Sequence, residues 1–504
     1  MGGPKCCGCS RREFLAAAGT SAGAGLALAG CAGARPGGGP AGQAHQPRTR
    51  PLKVLPVFNC NIYPPKPAAS WRVTGAIGTE EELHEEERRI AADLAAMTAR
   101  AGFPLDFLPL STVRTVEEAE AAARQEHDVL IMYAARRNAK LLETLAASGP
   151  WNLMFVRHRS GPLYYMYIGS HTHFLRKRRD EMGQPGMDTN DVVVDDTDEL
   201  LWRLRSFFAL KNTLGTRIVA VGGPGGWGAD GATAPDRARA TWKLDYRPVD
   251  FPQLKERIAR ARADEALARR CREEAAAYAR QPGVAVETAP AFYEKAFLLC
   301  QVFRDLLREH EADAFTIDQC MSTVMPATET TACLPLTILN DEGYLAFCES
   351  DFVAIPAGIL LHHVSGKPAF LCNPSMPHRG EVTVSHCTAP RRMDGRTLEP
   401  VRVLTHYESD YGAATKVEMR RGQEVTVVDP DFMGRRYMGF EAEITETPFY
   451  PICRTQLELK IRGDWERLKE EIRGFHRMVA YGRHLRETGY AVRKAGLGWL
   501  GIKP

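Results

Sequence analysis

Thr328-Glu329-Thr330-Thr331-Ala332-Cys333-Leu334-Pro335-Leu336, continued by Asn340-Asp341-Glu342-Gly343-Tyr344-Leu345-Ala346-Phe347-Cys348-Glu349-Ser350-Asp351, decides how this chain of 504 residues is read. The first stretch reads as a short helix, Asn340 to Gly343 as a turn, and Tyr344 to Cys348 as an apolar strand. Helix, turn and strand together place acidic side chains at both ends of one unit. Far downstream, Phe475-His476-Arg477-Met478-Val479-Ala480-Tyr481-Gly482 supplies an imidazole just ahead of an apolar run. Two carboxylates, Glu329 and Asp351, with His476 make a candidate divalent-metal site. Such an oxygen-rich donor set suits Mn²⁺, Mg²⁺ or a similar hard or borderline ion better than a structural zinc.

Each of these residues has a plainer reading. Asp351 is a favoured residue for capping the helix after it, and Pro356 marks a helix start nearby. Glu329 is equally at home on an exposed helix surface. Glu349 competes with Asp351, because two residues apart on an extended strand they point to the same side. A lone histidine such as His476 is more often structural. His386, at the end of an alternating strand, is placed to line the same cleft as a substrate-contacting group, and Gln319 is a second candidate contact. His362 and His363 read as packing or surface groups.

Upstream of the site the pattern alternates strand and helix. Leu52 to Phe58 is a strand. Thr79-Glu80-Glu81-Glu82 is a capping box opening a helix that stops at Gly102. Leu105 to Leu110, His127 to Tyr133 and Trp151 to Arg157 are further strands, with a helix from Thr115. This rhythm predicts a parallel, doubly wound sheet. A second α/β unit follows, with a helix over Glu199 to Asn212 and a strand over Thr216 to Val221. That strand runs into Gly222-Gly223-Pro224-Gly225-Gly226-Trp227-Gly228, which lacks a P-loop lysine and a clean dinucleotide spacing. It reads better as an interface loop with unusual backbone angles than as a phosphate cradle. The last third is richer in strands. The fold class expected is therefore α/β, with two doubly wound α/β domains over 52–165 and 166–314 and a β-rich mixed domain over 315–504 that carries the site.

These motifs resemble the L-fucose isomerase / L-arabinose isomerase group of sugar isomerases. The carriers are the helix bearing an acid, the Asn-Asp-Glu-Gly turn, the strand ending Cys-Glu-x-Asp, Leu361-His362-His363-Val364-Ser365-Gly366 as the next helix and exit, and His476 with Gly482. The resemblance covers roughly residues 315 to 390 and the region near 476. It implies Glu329, Asp351 and His476 as ligands of a divalent ion, Mn²⁺ foremost, with Glu329 and Asp351 also moving protons. It implies a sugar substrate, an enediol intermediate and a homo-oligomer. Two other classes stay open: a non-catalytic sugar-binding lipoprotein on the same fold, and an exported oxidoreductase.

The N-terminus departs from that group. Ser10-Arg11-Arg12-Glu13-Phe14-Leu15 is a twin-arginine motif ahead of a short apolar stretch, and Leu28-Ala29-Gly30-Cys31 has the form of a lipoprotein processing box. Residues 1–31 are expected to be a leader, with Cys31 a candidate for lipidation and membrane tethering. Residues 32–51, rich in Gly, Pro and Ala, are expected to be a tether. The product is expected to be periplasmic or membrane-anchored. Lys+Arg number 65 against 62 Asp+Glu, so nothing in the charge points to nucleic acid. Of thirteen cysteines, the nine after Cys31 show no CxxC pair, and most of them read as buried thiols. Replacing Arg11 and Arg12 by Lys should trap the precursor in the cytoplasm, and fractionation of the double variant checks this. Its normal export would remove the twin-arginine reading.

Overall fold

In the computed structural model, the residues described are 45–503 without 46, 65, 69–76, 165 and 185. The leader, Cys31 and most of the expected tether lie outside them.

The first apolar run is strand β1 (Leu52–Asn59), followed by β2 (Leu105–Phe107), β3 (Ser111–Val113), β4 (Val129–Ala134), β5 (Trp151–Val156) and β6 (Val192–Val194). All pair in parallel, in the order β2-β1-β4-β5-β6 with β3 also on β1. Thr79 and Thr115 cap their helices, each in a reciprocal pair with the glutamate three residues on. Because β6 pairs with β5, this sheet runs past the boundary expected at 165.

A second parallel sheet holds β7 (Arg217–Val221) and β8 (Asp245–Val249). The charged stretch after β8 forms two helices, Phe251–Ala263 and Glu265–Ala279, broken where Asp264 caps the second. After β9 (Val284–Val286) come β10 (Ala314–Ile317) and β11 (Leu345–Cys348), which complete the sheet in the order β11-β10-β7-β8. Strands on either side of the boundary expected at 315 therefore belong to one sheet, and the opening sequence motif closes the second α/β unit rather than starting the third.

The remaining chain supplies β12 (Phe370–Pro374), β13 (Glu381–His386), β14 (Val401–His406), β15 (Tyr411–Val417), β16 (Glu424–Pro430), β17 (Arg436–Glu446), β18 (Thr455–Arg462), β19 (Arg477–Tyr481) and β20 (Gly498–Ile502). The β-rich region expected here is a closed barrel: β16, β19, β12, β13, β18 and β17 pair in turn, and β17 returns to β16. Closure leaves those six strands without a free edge. β20 adds to β17, while β15, β14 and β9 form a separate small sheet. Val382, Val384, Val425, Val427, Phe440, Leu457, Leu459 and Val479 are buried in one core with the second α/β unit. Helix Ile355–Ser365, apolar on nearly every face, lies in a core that contains both Phe347 of β11 and Met478 of β19.

The end of the expected tether is packed. His45 stacks on Tyr344 at 3.9 Å and bonds Asp313 at 2.8 Å, and the Arg50 N–H donates to Asn212. Among the described residues, no helix is long and apolar enough to cross a membrane.

Asn340 fixes the unit that delivers the site. Its amide donates to Leu336 O and Ala346 O and accepts from the Ala346 N–H, tying helix Cys333–Asp341 to β11. Asn340→Ala leaves these buried groups unpaired and should cost about 1–3 kcal/mol, as chemical denaturation would measure.

Candidate metal centre

β11 ends at Cys348, and the next two residues take left-handed backbone angles, φ +65° at Glu349 and +44° at Ser350. Neither is glycine, so the bend is strained. It is held by Ser350, whose N–H donates to Thr316 Oγ1 at 3.1 Å and whose carbonyl accepts from the Gly225 N–H at 3.2 Å. The bend breaks the alternation expected of an extended strand and gives Glu349 and Asp351 different tasks.

Glu349, His386 and His476 each offer one ligand atom, and the three atoms lie within 4.8 Å of one another. His386 Nε2 is 3.2 Å from Glu349 Oε1, and its Nδ1 is 3.0 Å from Thr388 Oγ1. His476 Nε2 is 3.4 Å from Glu349 Oε2, an ion-pair distance without hydrogen-bond geometry, and this buried nitrogen has no hydrogen-bond partner. Behind it, Asp351 Oδ2 meets His476 Nδ1 at 2.7 Å, with both side chains essentially inaccessible. That pairing directs Nε2 toward Glu349, the arrangement by which carboxylates orient metal-binding imidazoles. An orphaned, aimed nitrogen beside a second imidazole and a carboxylate fits a divalent ion. Two nitrogens and one carboxylate suit Mn²⁺, Fe²⁺, Co²⁺ or Zn²⁺ better than Mg²⁺.

The electrostatics agree. Burial alone would lower His476, but the bond to Asp351 and the nearby Glu349 carboxylate outweigh this and raise it to about 9. Burial likewise opposes ionisation of Glu349, yet the two imidazoles hold it well below the usual carboxylate range.

The glycine-rich loop after β7 belongs to this centre. Gly225 bridges to Asp351, the Trp227 N–H donates to Asp351 Oδ1 at 3.1 Å, and the Trp227 indole donates to Glu349 Oε2 at 2.9 Å. Gly226 and Gly231 pack backbone to backbone, so a Cβ on Gly231 would sit 1.9 Å from Gly226 O. Trp227 also stacks on Phe475 at 4.4 Å. A cavity of about 750 Å³ opens here, lined by Trp227, Asp318, Gln319, Glu349, Asn373, His386, His406 and Glu408 among others.

The expected ligand set is therefore rearranged. His476 stands among the ligand atoms as expected. Asp351 sits one step back, on the imidazole. Its place is taken by Glu349, the competitor on the same strand. His386, expected to touch substrate, offers a ligand atom itself, and Gln319 lines the cavity. Glu329 is elsewhere. It caps the short helix Met325–Thr328 with φ +55°, which turns its side chain toward two other helices. There it pairs with Arg262 at 3.1 Å and Lys295 at 2.5 Å, is half-exposed, and does not line the cavity. Trp227 went unrecognised because its backbone N–H, which no motif records, does part of its work.

No protein-family model matches the chain, and no curated protein matches it.

Glu349→Gln, His386→Ala and His476→Ala should each abolish stoichiometric Mn²⁺ uptake, whereas Glu329→Gln should leave it unchanged. Asp351→Asn should weaken it by roughly 10–100-fold. Calorimetry with metal analysis of dialysed protein distinguishes these outcomes. Because an ion must displace the proton on His476 Nε2, binding should release a proton below about pH 9. Apparent affinity should rise with pH up to that point and flatten above it.

Proposed function

We propose that the chain is a divalent-metal-dependent isomerase that interconverts aldoses and ketoses through an enediol. The observation that carries this reading is the cluster of Glu349, His386 and His476, the first two of which line the cavity, in a chain whose motifs resemble the fucose and arabinose isomerases. A bound divalent ion would acidify the proton next to a sugar carbonyl and stabilise the enediolate.

The protein groups divide the rest of the work. Glu349, His386 and His476 hold the ion, with Mn²⁺ the first choice from the resemblance. Asp351 fixes the His476 ring. Proton transfer falls not to Glu329, which does not line the cavity, but to carboxylates that do, Asp318 and Glu408. A positioned acid or base of this kind contributes ~10²–10⁴-fold to rate. Gln319 and Asn373 offer amides to sugar hydroxyls, and the half-exposed Trp227 offers a flat apolar face to the carbon-bound hydrogens of a sugar.

The test is exchange of the substrate's carbon-bound hydrogen with deuterated solvent in Mn²⁺-loaded protein across an aldose panel. Exchange and ketose formation are expected. Both should fall ~10²–10⁴-fold in at least one of Asp318→Asn and Glu408→Gln, with metal content unchanged. Sugar binding without exchange would replace this reading by the non-catalytic binding protein. Neither binding nor exchange would end both.

A further inference from the structure

The segment between β5 and β6 carries a run of cations, Arg176-Lys177-Arg178-Arg179, that the metal centre does not use. Two of them line a separate cavity of about 260 Å³, which shares no lining residue with the cavity of the metal centre. Topology sets its place. The strands of the first sheet are parallel, so the turn after β4 and the segment after β5 both leave the carboxyl edge of that sheet. Open α/β sheets bind ligands at this edge.

Two features of the wall point to a ligand. The first is an excess of positive charge. The turn after β4 supplies Arg137, and the segment after β5 supplies His173, Lys177 and Arg178. Among the described residues of the wall the one acid is Glu143, 3.5 Å from Lys177. Helix Ala139–Ala146 also begins at this wall with no acid in its first turn, so its amino end adds positive potential. Burial and the charges of Arg137 and Arg178 hold His173 below its ordinary value, a sign of how closely the cations crowd. A bound anion would relieve that crowding. The second feature is an apolar part of the same wall, made by the buried Leu142, Met166 and Phe174. The cations are held rather than loose: Lys177 and Arg178 take left-handed backbone angles, φ +46° and +59°, where the Arg178 N–H donates to Thr172 O at 2.7 Å.

We propose that this cavity binds a small phosphate monoester, its phosphate held by Arg137, Lys177 and Arg178 and its short carbon portion set against Leu142, Met166 and Phe174. Guanidinium groups match phosphate through two parallel hydrogen bonds. With His173 neutral, three cations less one acid leave two positive charges, which suit a doubly charged phosphate better than a singly charged carboxylate. The apolar part of the wall excludes a bare ion as the best occupant. The proposal rests on neither the metal centre nor the isomerase reading.

The test is calorimetry of the full chain at fixed ionic strength with phenyl phosphate, benzoate and inorganic phosphate as probes. One phenyl phosphate per chain is expected. Benzoate should bind at least ~10-fold more weakly because it lacks the second charge, and inorganic phosphate more weakly because it lacks the ring. Arg137→Ala and Arg178→Ala should each weaken phenyl phosphate binding ~10–100-fold, as loss of a charge-assisted hydrogen bond implies. Both residues are exposed, so neither substitution threatens the fold. Glu143→Gln should tighten binding by releasing Lys177, and Arg260→Ala, on a helix outside the cavity, should leave it unchanged. Bound phenyl phosphate should also slow hydrogen exchange within 137–143 and 173–178. Absence of phenyl phosphate binding, equal affinity for benzoate or for inorganic phosphate, or undiminished binding by Arg178→Ala would each overturn the proposal.

Discussion

The buried bond between Asp351 and His476 is the contact on which the centre depends. It joins residues 125 apart in sequence, one just past a strand of the second α/β sheet and one just ahead of a barrel strand. It assigns each imidazole nitrogen a task, Nδ1 toward Asp351 and Nε2 toward Glu349. Asp351 in turn is held by N–H groups of Trp227 and Val353, so its orientation is set by backbone rather than by mobile side chains. A carboxylate accepting several hydrogen bonds in the protein interior is a rigid anchor, because any displacement leaves buried donors unpaired.

The second constraint is the left-handed turn at Glu349 and Ser350. Two consecutive non-glycine residues in that region cost on the order of 1–3 kcal/mol each. The surrounding bonds to Thr316 and Gly225 over-determine the turn and keep it. The return is geometric. One carboxylate enters the cavity while the next, two residues on, supports a ligand from behind. An ordinary strand continuation would have aimed both the same way.

Much of this was legible in the sequence. Capping boxes at Thr79 and Thr115, and the alternation of apolar runs with amphipathic helices, mark the α/β units because those signals are local. The strand-rich character of the last third was legible too. Its closure into a barrel was not, because pairing partners such as β16 and β19 are remote and leave no local trace. At the centre, His476 and the Cys-Glu-x-Asp run could be read, as could His386 at the end of its strand. The division of labour between Glu349 and Asp351 could not, since it turns on two backbone angles that neither residue type favours. Glu329 failed for the same reason: its left-handed cap conformation sends a well-placed acid to Arg262 and Lys295. The glycine-rich loop was read as an interface device, which its glycines justify, but its contribution of an N–H to Asp351 belongs to no residue type.

The closed barrel has a consequence for the order in which the protein becomes competent. β19 is the strand that links β16 to β12, and His476 stands directly before it. Until β19 is inserted the ring is open and the last ligand is absent, so the donor cluster cannot exist in a nascent or truncated chain. Loop closure over so long a separation is among the later events of folding. Assembly of the donor cluster is thereby deferred to the moment the barrel shuts, so an intact cluster marks a chain that has finished folding.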